Sequence, residues 1–252
     1  MKKKLDKGNK VVGTFFELGS EETVECLGYT GLDFIIIDAE HAPFSLENTM
    51  KFVRAAEVVD LTALVRISDV TRPSVLRNLD VGAKGLIVPC VETVEEVKKL
   101  VEWAKYSPIG KRGYFMARTS GYGQKDFAKN LQDYFDICNR ETLLIPQCET
   151  LGCLENIEEI MAMEGVDGIF VGPFDLSIAL GIPTQFDHPD FKVALERIKK
   201  AANDNGKLSF IFSTDAKSTK NLFDQGFHGV AMGMDAGFLI NSVKSAVKEI
   251  TK

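Results

Sequence analysis

Phe34-Ile35-Ile36-Ile37 runs without a break into Asp38-Ala39-Glu40-His41. Four apolar residues rich in β-branching read as a short buried strand. Two carboxylates and an imidazole at its end put three costly polar groups at the edge of a core. Such groups persist where they are paired, hydrated or bound to a metal. The stretch therefore reads as a catalytic rim, with a solvated turn and a helix-capping Asp as the plainer alternative. Other strands ending in the same way would decide between them.

Working outward, eight such runs recur: Val11–Phe16, Phe34–Ile37, Ala63–Ile67, Gly85–Val88, Leu143–Gln147, Gly168–Val171, Leu208–Phe212 and Gly229–Met232. Between them lie segments with helical spacing of apolar residues, among them Leu46–Val59, Val94–Ala104, Phe191–Ala202 and Phe238–Ile250. Strand and helix in alternation predict a parallel sheet covered by helices. Eight repeats in 252 residues match the size of a (β/α)8 TIM barrel. A doubly wound open sheet is the alternative, weakened because no G-x-G-x-x-G follows the first run. Neither a linker nor a low-complexity segment interrupts the chain, so residues 1–252 read as a single domain. One connection stands out, a loop over about 106–125 that is longer than most. It contains Arg112, Arg118 and Tyr122, which are candidates to meet an anionic ligand, or else belong to a solvated or interface loop.

Composition narrows the function classes. The net charge is −6, and no basic stripe interleaved with aromatics suggests nucleic acid. The basic start, Met1-Lys2-Lys3-Lys4, is not followed by an apolar segment and does not read as a signal peptide, and no stretch is long enough to span a membrane. Cysteines at 26, 90, 138, 148 and 153 are odd in number and lack C-x-x-C spacing, so free thiols in a reducing cytoplasm are expected.

The active site of a TIM barrel lies at the C-terminal strand ends. Those ends bring Glu17, then Asp38, Glu40 and His41, then Arg66, Pro89-Cys90, Gln147 and Glu149, Gly172-Pro173-Phe174-Asp175, Ser213 and Gly233. None is a lysine, so a Schiff base is not expected, and carbonyl chemistry calls for a metal ion as electron sink. Glu149 and Asp175 are the best candidate ligands for a hard divalent cation such as Mg2+ or Mn2+. Their plainer readings are a helix N-terminal charge and an N-cap. His41, three residues after Asp38, could be oriented by it and move a proton through water. Arg66 could neutralise a developing enolate oxygen, or simply bridge to a neighbouring strand-end carboxylate. Gly172-Pro173 ahead of a helix, and more weakly Gly233–Gly237, resemble anion-binding helix starts. His188, in an Asp-His-Pro-Asp turn, and His228, before a strand, read as structural.

The ordered motifs Asp38-Ala39-Glu40-His41-Ala42-Pro43, Val65-Arg66, Leu79–Pro89, Tyr106–Gly113, Gln147-Cys148-Glu149-Thr150 and Gly165–Leu176 resemble the HpcH/HpaI aldolases over nearly the whole chain. These metal-dependent enzymes cleave 4-hydroxy-2-keto acids, such as 2-keto-3-deoxy sugar acids, to pyruvate and an aldehyde. The resemblance implies Glu149 and Asp175 as metal ligands and a cation that is Mg2+ or Mn2+, with Co2+ a further candidate. It implies His41 with Asp38 as the base pair and Arg66 on the keto or enolate oxygen. Gln147, Gly172 and Pro173 would line the pyruvate site. It further implies a C-terminal helix exchanged between protomers and a hexamer. The residue after Gly172-Pro173 is usually small or polar in that family, so Phe174 is a departure bearing on specificity. An acyl-CoA or citryl ester lyase of the same superfamily, and a catalytically silent keto-acid-binding barrel, are the competing expectations.

Overall fold

The computed structural model describes residues 1–251. Its strands are β1 (Val11–Phe16), β2 (Phe34–Asp38), β3 (Thr62–Arg66), β4 (Gly85–Val88), β5 (Leu143–Cys148), β6 (Gly168–Val171), β7 (Leu208–Ser213) and β8 (Gly229–Met234). They close in sequence order into one parallel barrel, which excludes the open doubly wound sheet. A short helix, α1 (Lys2–Leu5), precedes β1. Helices α2 (Glu21–Gly28), α3 (Leu46–Val58), α4 (Arg72–Asp80) and α5 (Val94–Ala104) follow the first four strands in turn. After the long loop come α6 (Leu131–Glu141), then α7 (Leu151–Glu155) and α8 (Ile157–Ala162) beyond β5. Beyond β6 lie α9 (Pro173–Ala179) and α10 (Pro189–Asp204), then α11 (Ala216–Asp224) and, after β8, α12 (Asp235–Ile250).

Side-chain parity explains the layers. Successive strand residues point to opposite faces. Phe34 and Ile36 join Phe15, Leu64, Ile87, Ile145, Phe170 and Phe210 in a core distinct from the larger one beneath the helices, which takes Ile35 and Ile37. Large rings meet glycines inside the barrel. A Cβ on Gly13 would lie 2.4 Å from the Phe34 ring, and one on Gly229 would lie 2.3 Å from Phe210. The same parity carries Asp38 two residues past Ile36 and Arg66 two past Leu64, so both turn toward the barrel axis at its C-terminal mouth.

Several helices start where the sequence supplies a side-chain cap. Ser45 with Asn48, Thr93 with Glu96 and Asp215 with Ser218 form reciprocal capping boxes. The long loop packs at the opposite end of the barrel. Arg112 pairs with Asp80 at 2.7 Å and stacks 4.7 Å from the Tyr106 ring. Arg118 grips Glu57 with both Nη atoms. Asp80 and Glu57 stand at or near the C-terminal ends of α4 and α3, beside the N-terminal ends of the strands. The two arginines are thus tied down far from the strand-end rim, and Tyr122 is an exposed loop residue at positive φ. Neither arginine lines the strand-end pocket, which fits the solvated or interface loop of the two readings. Among the described residues, no helix is long and apolar enough to cross a membrane.

Candidate active site

The C-terminal rim encloses a pocket of about 220 Å3 lined by Glu17, His41, Arg66, Gln147, Phe174 and Asp175, among others. Arg66 on its lining is ion-paired with Asp38. The two are cross-strand partners in the β2–β3 register. Asp38 is fully buried. Its Oδ1 accepts from Arg66 Nε at 2.9 Å and its Oδ2 from Nη2 at 2.6 Å. Oδ1 also accepts the backbone N–H groups of Glu40 at 3.1 Å and His41 at 3.4 Å. Burial alone would lower the guanidinium pKa, but the hydrogen bonds and charge of Asp38, joined by Glu40 and Glu149, hold it above its ordinary value. Arg66 also lies 4.8 Å from the centroid of the Phe15 ring.

The expected Asp38–His41 side-chain pair is not formed. Both Asp38 oxygens are taken by Arg66 and the turn amides. His41 sits in that turn, its side chain 70% exposed, and its Nε2 is 3.9 Å from Glu40 Oε2. Glu40, given no role by sequence reasoning, is thus the carboxylate nearest the imidazole. It is also 3.3 Å from Arg66 Nε, and burial raises its pKa in spite of these two neighbours. Its Oε2 is buried without a hydrogen-bond partner.

On the far side of the pocket, buried Glu149 follows β5. Its Oε1 accepts the Cys90 N–H at 2.8 Å and its Oε2 accepts from Gln147 Nε2. Cys90 offers that amide from a left-handed backbone conformation, φ +53°, uncommon outside glycine. Nothing in the local sequence signals this. Burial, reinforced by the charge of Asp175, raises the Glu149 pKa, and the Cys90 amide, Gln147 and Arg66 offset it only in part. Gly172 closes the cradle. A Cβ there would lie 2.6 Å from Glu149 Oε2 and 3.0 Å from Gln147 Nε2. Gly172 is the N-cap of α9 and Pro173 its first residue, so Asp175 lies in the first turn rather than at the cap, and it is exposed.

These groups fit a divalent cation. Asp38, Glu40 and Glu149 act on Arg66, the one fixed positive charge lining the pocket, and Asp175 acts on Glu149; a buried carboxylate with raised proton affinity gains from a cation. Gln147 Oε1 is a further buried oxygen without a partner. Among the described residues, no three His, Cys, Asp or Glu side chains form a closed metal cage. A cation held by two carboxylates would keep coordination positions open to substrate.

The other candidates fall elsewhere. The Gly233–Gly237 segment is not an anion cradle, because the Asp235 carboxylate itself accepts the N–H groups of Glu17, Leu18 and Ala236. His188 caps α10 through Nδ1, and His228 Nδ1 accepts the Ser209 N–H at the N-terminal ends of the strands.

A family model described as HpcH/HpaI aldolase/citrate lyase matches residues 12–242. A hydroxypyruvate/pyruvate aldolase of Roseobacter denitrificans is 35% identical, over 97% of this chain and 94% of its own. A 2-keto-3-deoxy-L-rhamnonate aldolase of Klebsiella pneumoniae is 30% identical, over 93% of this chain and 86% of its own. The crystal structure of an HpcH/HpaI aldolase from Desulfitobacterium hafniense superposes with a TM-score of 0.92 at 32% identity, covering 100% of this chain and 96% of that one.

Proposed function

The chain belongs to the HpcH/HpaI aldolase/citrate lyase family, and on that premise we propose that it is a divalent-metal-dependent aldolase. It cleaves a 4-hydroxy-2-keto acid to pyruvate and an aldehyde, reversibly. The observation that carries this reading is the polarised rim: Arg66 clamped by Asp38 on one side, and Glu149 with Asp175 on the other. Glu149 and Asp175 hold the cation, Mg2+ or Mn2+, which when bound supplies Lewis-acid polarisation of the C2 ketone.

The chain's own groups do the rest. His41 takes up the C4 hydroxyl proton as the C3–C4 bond breaks and the aldehyde departs. The electron pair of that bond passes into the pyruvate enolate, which is then protonated at C3. Arg66, always charged and immobilised by two bonds to Asp38, stabilises the enolate oxygen. Gln147, Gly172 and Pro173 shape the floor on which the keto acid rests, and Phe174 forms its outer wall. Glu40, not Asp38, is the carboxylate placed to bias the His41 imidazole. The lining offers Arg66 and His41 as its basic groups, which suits a small keto acid better than the phosphates of a CoA ester.

The α12 helix supports assembly. Leu239, Ile240, Val243 and Val247 are each at least half exposed, an apolar stripe at helical spacing on a helix whose barrel contacts concentrate on β1 and β8. We infer that it is covered by another protomer in a homo-oligomer, a hexamer by family resemblance. The function is tested by incubating the protein with pyruvate, Mg2+ or Mn2+, and deuterium oxide. Metal-dependent exchange at the pyruvate methyl, and addition to aldehydes, are the expected results. Cleavage of acyl-CoA esters without either would overturn the reading.

A further inference from the structure

A second cavity, about 330 Å3 in volume, adjoins the site among α10, β7 and α11. Phe191, Leu195, Ile211 and Leu222 give it an apolar lining. Pro173, Phe174 and Phe212 wall both this chamber and the catalytic pocket.

A row of aromatic rings joins the two spaces. It begins at Phe15, beneath Arg66. Phe15 meets Phe212 at 5.8 Å between centroids, and Phe212 meets Phe174 at 6.1 Å. Phe174 meets Phe186 at 5.2 Å, and Phe186 meets Phe191 at 5.4 Å. The row thus leads from the enolate-stabilising group to the side of the chamber. Phe174, in the shared wall, is 39% exposed. Its ring presents apolar surface in the wall that the two spaces share.

The polar groups around the chamber do not ask for a charged ligand. Asp187 and Lys192 pair with each other at 3.2 Å. The remaining polar lining, such as Ser213, Thr214 and Asn221, is neutral. Small-molecule sites are mostly apolar with a few orienting polar groups. A dry cavity of roughly 150 Å3 suffices for a benzene ring, so this one has room for a phenyl group with a short linker.

We propose that the chamber is the subsite for the aldehyde's side chain, and that the preferred aldehyde carries an apolar or aromatic group rather than a polyhydroxylated chain. The inference rests on the aldolase reading. In the synthetic direction the pyruvate methyl carbon loses a proton and bonds to the aldehyde carbon, whose oxygen gains one. The apolar substituent then lies along the Phe212–Phe174 wall, away from the carboxylates.

The test uses the purified protein with Mn2+ and pyruvate. kcat/KM for aldol addition is measured with acetaldehyde, butanal, hexanal, phenylacetaldehyde and D-glyceraldehyde. The expected result is a rise of about fourfold per methylene up to about six carbons, with phenylacetaldehyde at least about tenfold above D-glyceraldehyde. Leu195→Trp, filling the chamber from α10, should lower the hexanal-to-acetaldehyde ratio by about tenfold or more. Leu222→Trp fills it from α11 and guards against misfolding of the first variant. A flat chain-length profile, a preference for D-glyceraldehyde, or an unchanged ratio in both soluble variants would overturn the proposal. Pyruvate methyl exchange in deuterium oxide needs no aldehyde. Exchange with a flat profile refutes the subsite alone, whereas absence of exchange and of addition to every aldehyde refutes the aldolase reading and the subsite with it.

Discussion

Asp38 and Arg66 end neighbouring strands at the same register and meet through two hydrogen bonds, of 2.9 and 2.6 Å. The carboxylate fixes the plane of the guanidinium, so the remaining N–H groups are aimed before substrate arrives. Preorganised donors of this kind are the most effective charge stabilisers in enzymes. Arg66→Lys keeps the charge but loses the fork. It should reduce kcat for aldol cleavage by roughly 10²–10³-fold. Steady-state kinetics check this, and a variant with unaltered kcat would leave Arg66 only its structural bridge to Asp38.

The acidic pair and the imidazole should separate by what they disturb. Asp175→Asn removes a negative charge beside Glu149 and should weaken Mn2+ binding by at least about 10-fold. His41→Ala should leave that affinity largely intact while cutting turnover by about 10²–10⁴-fold. Calorimetry with Mn2+ and rate measurements at saturating metal distinguish the two. Unchanged metal affinity in Asp175→Asn would remove Asp175 from the metal site.

The barrel was legible because its signals are local. Runs such as Phe34–Ile37 and Gly168–Val171 are short, apolar and bounded by turns, and each carries its burial in its own composition. The strand-end inventory followed from topology alone. What was not legible depends on register and on turns. Closeness in sequence pairs Asp38 with His41, whereas the barrel's register gives it to Arg66, 28 positions away, the strand-end bridge the sequence offers for Arg66 without naming its partner. The left-handed turn at Cys90 that delivers an amide to Glu149 leaves no compositional trace. Arg112 and Arg118 carried the charge for an anion site, but α3 and α4 bring Glu57 and Asp80 to them at the opposite end of the barrel. The apolar chamber joins α10, α11 and β7, elements separated in sequence whose facing surfaces exist only once the barrel closes.

Lys105 gives a stability prediction remote from the pocket. It is buried, and its Nζ donates to Asp167 Oδ2 at 2.7 Å and to the carbonyls of Asn139 at 3.0 Å and Thr142 at 2.6 Å. Burial nonetheless lowers its pKa. Lys105→Met preserves length but leaves a carboxylate and two carbonyls without their donor. A loss of about 3 kcal/mol is expected. Adding Asp167→Asn should return part of it, since the stranded charge is gone. Urea unfolding of both variants measures this, and a single variant as stable as the parent would show that solvent replaces the ammonium at no cost.

His228 should make the fold acid-sensitive. Burial, assisted by the charge of Lys10, lowers its pKa below the ordinary imidazole value. The neutral form is the one the structure uses, because Nδ1 accepts the Ser209 N–H at 3.1 Å. In the unfolded chain the ring titrates near its usual value of about 6.5. Between the lowered folded value and that one, the unfolded state binds more protons, so stability rises with pH across the window and falls as the solution is acidified through it. His228→Asn keeps an acceptor near the Nδ1 position and cannot titrate. Its unfolding free energy should therefore fall less steeply than the parent's between about pH 7 and pH 5. Parallel pH profiles for parent and variant would assign the acid sensitivity to other groups.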